Sequence, residues 1–206
     1  SHQIVIENMY GYSFAKPARH MSEYLSILLP LIREGSVSFT GETLTGHGSL
    51  TVPGSSPCPV MIAALGSRML ELAGSLTDGT ITWMTGPRTI AEHIVPTIAA
   101  AAEGAGVDAH RVVAALPVAV TDDAPAVRAL AAKVFSIYGI LPSYRAMLDR
   151  EGAAGPEDVA LIGTEAEVRA GIERIRDGGA TDFVAVEFSR DPDVATATRD
   201  MLRSLL

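Results

Sequence analysis

The chain has 206 residues, of which 48% are hydrophobic and only 19% are charged, and this composition excludes an intrinsically disordered protein. Its formal net charge of -8 disfavours a nucleic-acid-binding protein, because such proteins need clustered Lys and Arg to displace phosphate counterions. A single cysteine, Cys58, and the lack of any uninterrupted apolar stretch of roughly 20 residues predict a cytoplasmic protein with neither an internal disulfide nor a membrane span.

The first quarter of the chain predicts a helix followed by a β-excursion. Apolar side chains recur at helical spacing from Met21 to Ile32, and Gly35 is placed to end this helix. Residues 36–55 then alternate small or polar side chains with apolar ones around two glycines. This alternation predicts a β-rich insertion, either a hairpin or a lid, on the protein surface.

From residue 59 onward, apolar runs alternate with segments of helical periodicity. The predicted strands are 59–65, 80–84, 111–121 and 182–188. Helix start signals accompany them, including a capping box of Thr164 with Glu167 and the pair Asp191-Pro192. Strands of this kind indicate a parallel sheet covered by helices, either an open doubly wound sheet or half of an eight-stranded barrel. The first strand-helix turn lacks the glycine fingerprint of a Rossmann unit, which favours the barrel.

The first strand-helix turn reads Ala64-Leu65-Gly66-Ser67-Arg68. A helix that begins just after a strand directs free N-H groups outward, and its dipole favours an anion there. Gly66 permits close approach of an anion, Ser67 offers a hydroxyl donor and Arg68 offers a positive charge. We interpret this turn as an anion site, and the alternative is an ordinary corner that carries a surface arginine.

The end of the next strand carries Trp83, the only tryptophan, followed by Thr85 and Gly86. Barrel active sites gather at the carboxyl ends of the strands, so these residues are expected to line a pocket. The alternative is a tryptophan that caps the barrel core. No metal site is expected, because the histidines at 20, 47, 93 and 110 lack ligand spacing. His93, inside a predicted helix, is interpreted as a packed or surface residue, and no catalytic residue is assigned.

Two long segments of the chain are PVMIAALGSRMLELAGSLTDGTITWMTGPRTIAEHIVPTIAAAAEGAG and EAEVRAGIERIRDGGATDFVAVEF. They resemble the second half of the luciferase-like monooxygenase superfamily, particularly its members that use the deazaflavin coenzyme F420. The resemblance covers nearly the whole chain, but the first half of the family's barrel has no counterpart, and a full barrel takes about 250 residues. Residues 1–206 are therefore expected to be the C-terminal portion of a single (β/α)8 barrel domain, with the β-rich insertion at about 36–55.

The resemblance implies an oxidoreductase that transfers hydride between F420 and a small organic substrate. The alternatives are an FMN-dependent monooxygenase of the same superfamily and a non-catalytic binding half-barrel. The resemblance implies that the turn from Ala64 to Arg68 holds the cofactor phosphate. It also implies that His2 contacts the deazaflavin ring or its ribityl chain, unless His2 belongs to a flexible terminus or a tag. A half-barrel leaves two strand edges unpaired, which predicts a homo-oligomer or completion within a longer polypeptide.

Overall fold

The computed structural model describes residues 2–54, 56–107 and 110–206. The chain divides into two compact units, Ser1–Val60 and Met61–Leu206. Ser1, at the start of the predicted barrel portion, and Ser55, at the end of the predicted insertion, lie outside the described residues.

The first unit consists of a helix followed by a β-hairpin. Helix α1 (Pro17–Glu34) follows a short helical turn (Val5–Met9) and ends at Gly35, which has a left-handed φ of 77°. Strands β1 (Ser36–Thr40) and β2 (Thr45–Ser49) then pair in antiparallel orientation. The predicted helix, its end at the glycine and the predicted hairpin are confirmed.

Glu23 of α1 fastens the loop of this hairpin to the helix. Its carboxylate accepts hydrogen bonds from the backbone N-H groups of Glu42 (3.0 Å), Thr43 (2.7 Å) and Leu44 (2.9 Å), and from the Thr43 hydroxyl (2.7 Å). Burial by itself would raise the pKa of Glu23, but these hydrogen bonds outweigh it and lower the pKa to about 2. The ionised carboxylate is therefore the form that holds the hairpin.

The second unit is a parallel sheet with helices between its strands. In chain order its main elements are β3 (Ile62–Ala63), α2 (Ser67–Leu76), β4 (Gly79–Trp83), α3 (Pro87–Thr89), α4 (Val95–Ala105), β5 (Arg111–Val120), α5 (Ala124–Val134), α6 (Pro142–Glu151), β6 (Leu161–Gly163), α7 (Glu165–Asp177), β7 (Asp182–Glu187) and α8 (Pro192–Arg203). A π-helical turn, Ile90–Ile94, joins α3 to α4.

The sheet is organised around β5, the longest strand. Strand β4 pairs with the first half of β5, and β7 pairs with residues 113–118 of it. Strand β3 pairs with the outer side of β4, so the order β3-β4-β5-β7 follows four consecutive βα units of a barrel. The four predicted strands are confirmed, although β3 is shorter than the apolar run that predicted it. The short strand β6, which pairs with the end of β5, was not predicted.

The two faces of the sheet are covered to different extents. On one face Val118 and Phe183 pack against Val168 of α7 and Met201 of α8. On the other face Ile81 and Val184 remain 38% and 42% exposed. Among the described strands, β3 pairs only with β4 and β7 only with β5, so both are edges as predicted. Self-association through these edges stays a prediction. Sedimentation velocity measures such self-association directly.

Replacing Glu23 tests the role of its carboxylate in the first unit. The Glu23→Gln variant is expected to loosen the hairpin, because the amide nitrogen is a donor facing backbone donors. The pKa of Glu23 is lowered on folding, so its contribution to stability is complete above the ordinary value of 4.5 and is lost as the pH falls towards about 2. Hydrogen exchange of residues 42–44, corrected for intrinsic rates, should show this acid-dependent loss of protection in the wild type and not in Glu23→Gln.

The matched control for this prediction is Glu34→Gln, which neutralises an exposed carboxylate at the end of the same helix. The protection of the hairpin loop in Glu34→Gln should equal that of the wild type at every pH. Equal protection in the wild type and in Glu23→Gln would show that the carboxylate does not hold the loop.

Candidate functional site

The carboxyl ends of β3 and β4 bring two of the predicted site segments to one edge of the sheet. The strands are parallel neighbours, with Ala63 opposite Ile81. The turn after β3 contains Leu65 to Arg68, and Trp83 ends β4. Because parallel strands end on the same side, these segments lie next to each other at the edge where α/β proteins bind ligands.

The turn after β3 presents unpaired hydrogen-bond donors. Gly66 has an extended conformation, and its carbonyl accepts the N-H groups of Met69 and Leu70, both at 3.0 Å. Within the described chain, the backbone N-H groups of Gly66, Ser67 and Arg68 have no acceptor. Those three residues are also exposed, whereas Ala64 is only 3% exposed. The donors of this turn therefore face solvent, where they can bind an anion.

The charged group of Arg68 is also available to a ligand. Among the described residues, its guanidinium has neither an ion pair nor a hydrogen-bond acceptor, and the residue is exposed. Arg68 lies in the first turn of α2, directly after Ser67 in the chain. The turn thus combines backbone donors, a hydroxyl and an unpaired cation within three consecutive residues.

A buried histidine contacts the same turn from the side of the protein interior. The Nε2 atom of His93 lies 2.8 Å from the carbonyl oxygen of Leu65, and the residue is only 7% exposed. The sequence pattern suggested a packed or surface histidine, and packing is confirmed. The sequence did not indicate the contact with Leu65, because the two residues are 28 positions apart.

The turn after β4 has a strained and buried backbone. Met84 is fully buried with a positive φ of 52°, a conformation that costs free energy and often occurs at functional sites. The Thr85 hydroxyl donates to the Trp83 carbonyl at 3.2 Å, and Gly86 lies against the carboxylate of Glu151. Thr85 and Gly86 are buried and shape the turn, so Trp83 is the partly exposed member of the predicted trio.

Trp83 belongs to an aromatic cluster at this edge of the sheet. Its ring meets the rings of Phe135 and Tyr138 edge-on, with centroids 5.9 and 6.1 Å apart. Phe188, which follows β7, lies 4.9 Å from Phe135, and Tyr144 lies 4.7 Å from Tyr138. The Nε1 atom of Trp83 is buried without a hydrogen-bond partner among the described residues.

Sequence reasoning missed the other four aromatic residues of this cluster. Phe135, Tyr138 and Tyr144 come from the connection between β5 and β6, where no strand pattern marks the edge of the sheet. A usable signal existed only for Phe188, which lies at the end of a predicted strand, as Trp83 does.

His2, the remaining predicted cofactor residue, belongs to the first unit. It is partly buried, and its carbonyl accepts the N-H groups of Val5 and Ile6, both at 3.0 Å. It therefore precedes the first helical turn. Its contact with the deazaflavin ring or ribityl chain stays a prediction.

The described residues contain neither a cluster of metal ligands nor a membrane-spanning helix. No group of three or more His, Cys, Asp or Glu side chains in that part of the chain is arranged to hold a metal ion. Likewise, none of the helices within 2–54, 56–107 and 110–206 combines the length and apolarity needed to cross a membrane.

Comparison with protein families gives one match that spans most of the chain. The model of the family described as luciferase-like monooxygenase matches residues 1–182. An uncharacterised protein of Mycobacterium tuberculosis strain H37Rv is 31% identical over 163 residues, which cover 71% of this chain and 48% of the relative. The chain thus spans about half the length of the curated relatives that it matches.

Solved structures with the same fold include enzymes of two cofactor types. An F420-dependent secondary alcohol dehydrogenase in complex with an F420-acetone adduct superposes with a TM-score of 0.75 at 18% identity, covering 97% of this chain and 66% of that one. A type II Baeyer-Villiger monooxygenase of Pseudomonas putida in complex with FMN superposes with a TM-score of 0.68 at 15% identity, covering 98% of this chain and 66% of that one. At these identities the similarity shows the fold, and the chain forms a partial (β/α)8 barrel.

Proposed function

The chain belongs to the luciferase-like monooxygenase family, and from this premise we propose that it binds coenzyme F420 for hydride transfer to or from a small organic substrate. Members of this family are oxidoreductases and monooxygenases. The observation that most supports cofactor binding is the exposed turn at Gly66, Ser67 and Arg68, whose donors suit the phosphate of the cofactor.

The turn suits a phosphate in both geometry and charge. Its free N-H groups lie at the start of α2, a helix of 10 residues, where the helix dipole adds positive potential. Ser67 adds a hydroxyl donor, and Arg68 adds a full charge that hydrogen-bonds well to phosphate oxygens. Because the chain carries a net charge of -8, an anionic ligand needs such a local group of donors.

The aromatic cluster provides the other part of the proposed pocket. Trp83 is partly exposed at the end of β4, next in the sheet to the strand that leads into the phosphate turn. Its packing against Phe135 and Tyr138 fixes the indole ring, which offers a rigid apolar wall to a planar ligand. Such a wall excludes water from the ligand that it covers.

The cofactor and the residues of the proposed site have separate roles. A bound deazaflavin or flavin supplies the hydride-transfer chemistry. The turn at Ser67 and Arg68 binds the phosphate, and Trp83 orients the ligand and shields it from solvent. No side chain of the described residues is assigned a proton-transfer or covalent role.

FMN is the alternative cofactor, and a structural neighbour with bound FMN supports it. Both cofactors carry a phosphate, so the turn suits either one. The absorption of the bound ligand discriminates them, because a flavin absorbs further to the red than a deazaflavin. A protein that binds neither F420 nor FMN would instead fit the non-catalytic half-barrel.

Removing the charge of Arg68 tests the proposed phosphate site. In Arg68→Ala, the affinity for F420 and for FMN is expected to fall by about 1 to 3 kcal/mol, the range for charge-assisted hydrogen bonds. Dissociation constants should be measured at low salt, where screening of the charge is weakest. The control is Arg150→Ala, which removes an exposed arginine near the end of α6. Unchanged affinity for both cofactors in Arg68→Ala would show that Arg68 does not bind the phosphate.

The fluorescence of Trp83 tests the proposed pocket wall. Trp83 is the only tryptophan, so the whole tryptophan emission reports on this position. Saturation with the cofactor is expected to quench the emission strongly, whereas inorganic phosphate, which lacks the ring, should leave it unchanged. Cofactor binding that saturates by another probe without any change in the emission would contradict the placement of Trp83.

A further inference from the structure

His93 is a buried side chain that bonds to the Leu65 carbonyl of the phosphate turn from the protein interior. We propose that His93 is a positioning residue for cofactor binding, because it sets the orientation of the Leu65–Gly66 peptide and thereby aims the N-H of Gly66 at the ligand. The proposal rests on the proposed phosphate site at Ser67 and Arg68, and it adds a residue that does not itself touch the cofactor.

The contact between His93 and Leu65 has a defined polarity. A carbonyl oxygen only accepts hydrogen bonds, so the Nε2 atom of His93 carries the hydrogen and donates it across the 2.8 Å distance. His93 is buried, with only 7% of the residue exposed, so water competes little for this bond. The Leu65 carbonyl is therefore held towards the interior.

The planarity of the peptide group transmits this orientation to the turn. In a trans peptide the C=O of one residue and the N-H of the next point in opposite directions, and the described chain has no cis peptide bond. With the Leu65 carbonyl directed at the buried ring of His93, the N-H of Gly66 points away from it. That direction leads to the exposed side of the turn, where the N-H has no protein acceptor among the described residues.

The peptide on the other side of Gly66 is fixed as well. The Gly66 carbonyl accepts the N-H groups of Met69 and Leu70 and so belongs to the first turn of α2. His93 thus fixes the one peptide of the turn that the helix does not hold. Without its hydrogen bond the Leu65–Gly66 peptide is free to rotate, and glycine, which lacks a Cβ, opposes such rotation least.

An irregular helix places His93 at this position. The π-helical turn Ile90–Ile94 contains it, and the N-H of Val95 bonds to the carbonyl of Ile90 instead of to a residue four positions back. Pro96 has no N-H, which removes a further regular helical bond just beyond the turn. Such π-turns are frequent at functional sites.

Close packing between α2 and α4 restrains the position of His93 relative to the start of α2. Gly74 of α2 lies so close to α4 that a Cβ there would come within 2.6 Å of the Ile98 carbonyl oxygen. The two helices therefore approach at their backbones and leave little room for relative sliding. His93 extends this contact to the start of α2, so the phosphate turn is held both by packing and by a directional hydrogen bond.

A test of this role compares ligands with and without a phosphate. The ligand pairs are FMN with riboflavin, which differ only in the phosphate, and F420 with the riboflavin-like deazaflavin, which lacks the phosphate together with the anionic tail attached to it. His93→Met removes the N-H donor at similar volume, whereas His93→Gln retains an N-H donor and serves as the rescue variant. The control Thr77→Val removes a buried hydroxyl at the other end of α2, where it bonds to the carbonyls of Ala73 and Gly79.

We expect the wild type to bind the phosphorylated member of a pair more tightly. His93→Met should reduce this preference by about tenfold or more while leaving the affinity for the phosphate-free member nearly unchanged. His93→Gln and Thr77→Val should keep the preference. A merely structural role of His93 would instead weaken both members of a pair equally, in parallel with a lower melting temperature.

The outcomes separate this inference from the proposed function. If the wild type prefers the phosphorylated ligand and His93→Met keeps that preference, His93 is not a positioning residue and the phosphate site stands. If the wild type shows no preference for phosphate, both the site and the role of His93 are overturned. A preference that is lost in His93→Met and restored in His93→Gln supports the inference.

Discussion

Parallel pairing along β5 is the constraint on which the rest of the second unit depends. This strand is buried from residue 112 to residue 119, and it pairs with β4, β6 and β7. Because the strands run in one direction, the segments that follow them all emerge at one edge of the sheet. The turn from Leu65 to Arg68, Trp83 and Phe188 all lie at this edge for this reason. The candidate site is thus a consequence of strand direction, and its chemistry depends on which residues follow each strand.

The chemistry of this edge rests on groups that the fold leaves unpaired. In an acidic chain, an anion can bind only where backbone N-H groups and a cation lie together, and residues Gly66 to Arg68 bring both together. In contrast, Glu23 in the first unit and Glu151 in the second use their carboxylates to accept backbone N-H groups of this chain. Backbone N-H groups are therefore satisfied by the protein's own carboxylates at these places, whereas those from Gly66 to Arg68 face solvent.

Local signals in the sequence predicted the elements, but they did not predict the contacts between distant residues. Gly35 ends α1 because glycine adopts a positive φ readily, and Thr164 with Glu167 forms the predicted capping box at the start of α7. The strand β6 has three residues, too few to show a period. The bond from His93 to Leu65 and the aromatic packing around Trp83 join residues that are far apart in the chain. Only the folded arrangement of β3, β4 and their connections reveals them.

The most direct test of the proposed phosphate site is a crystal structure of the protein with bound F420 or FMN. We expect the phosphate oxygens to lie within hydrogen-bond distance of the N-H groups of Gly66, Ser67 and Arg68, with the Arg68 guanidinium against them. We also expect the bond from His93 to the Leu65 carbonyl to persist in the complex. A phosphate bound elsewhere, with the turn at Gly66 facing only solvent, would contradict the proposed site.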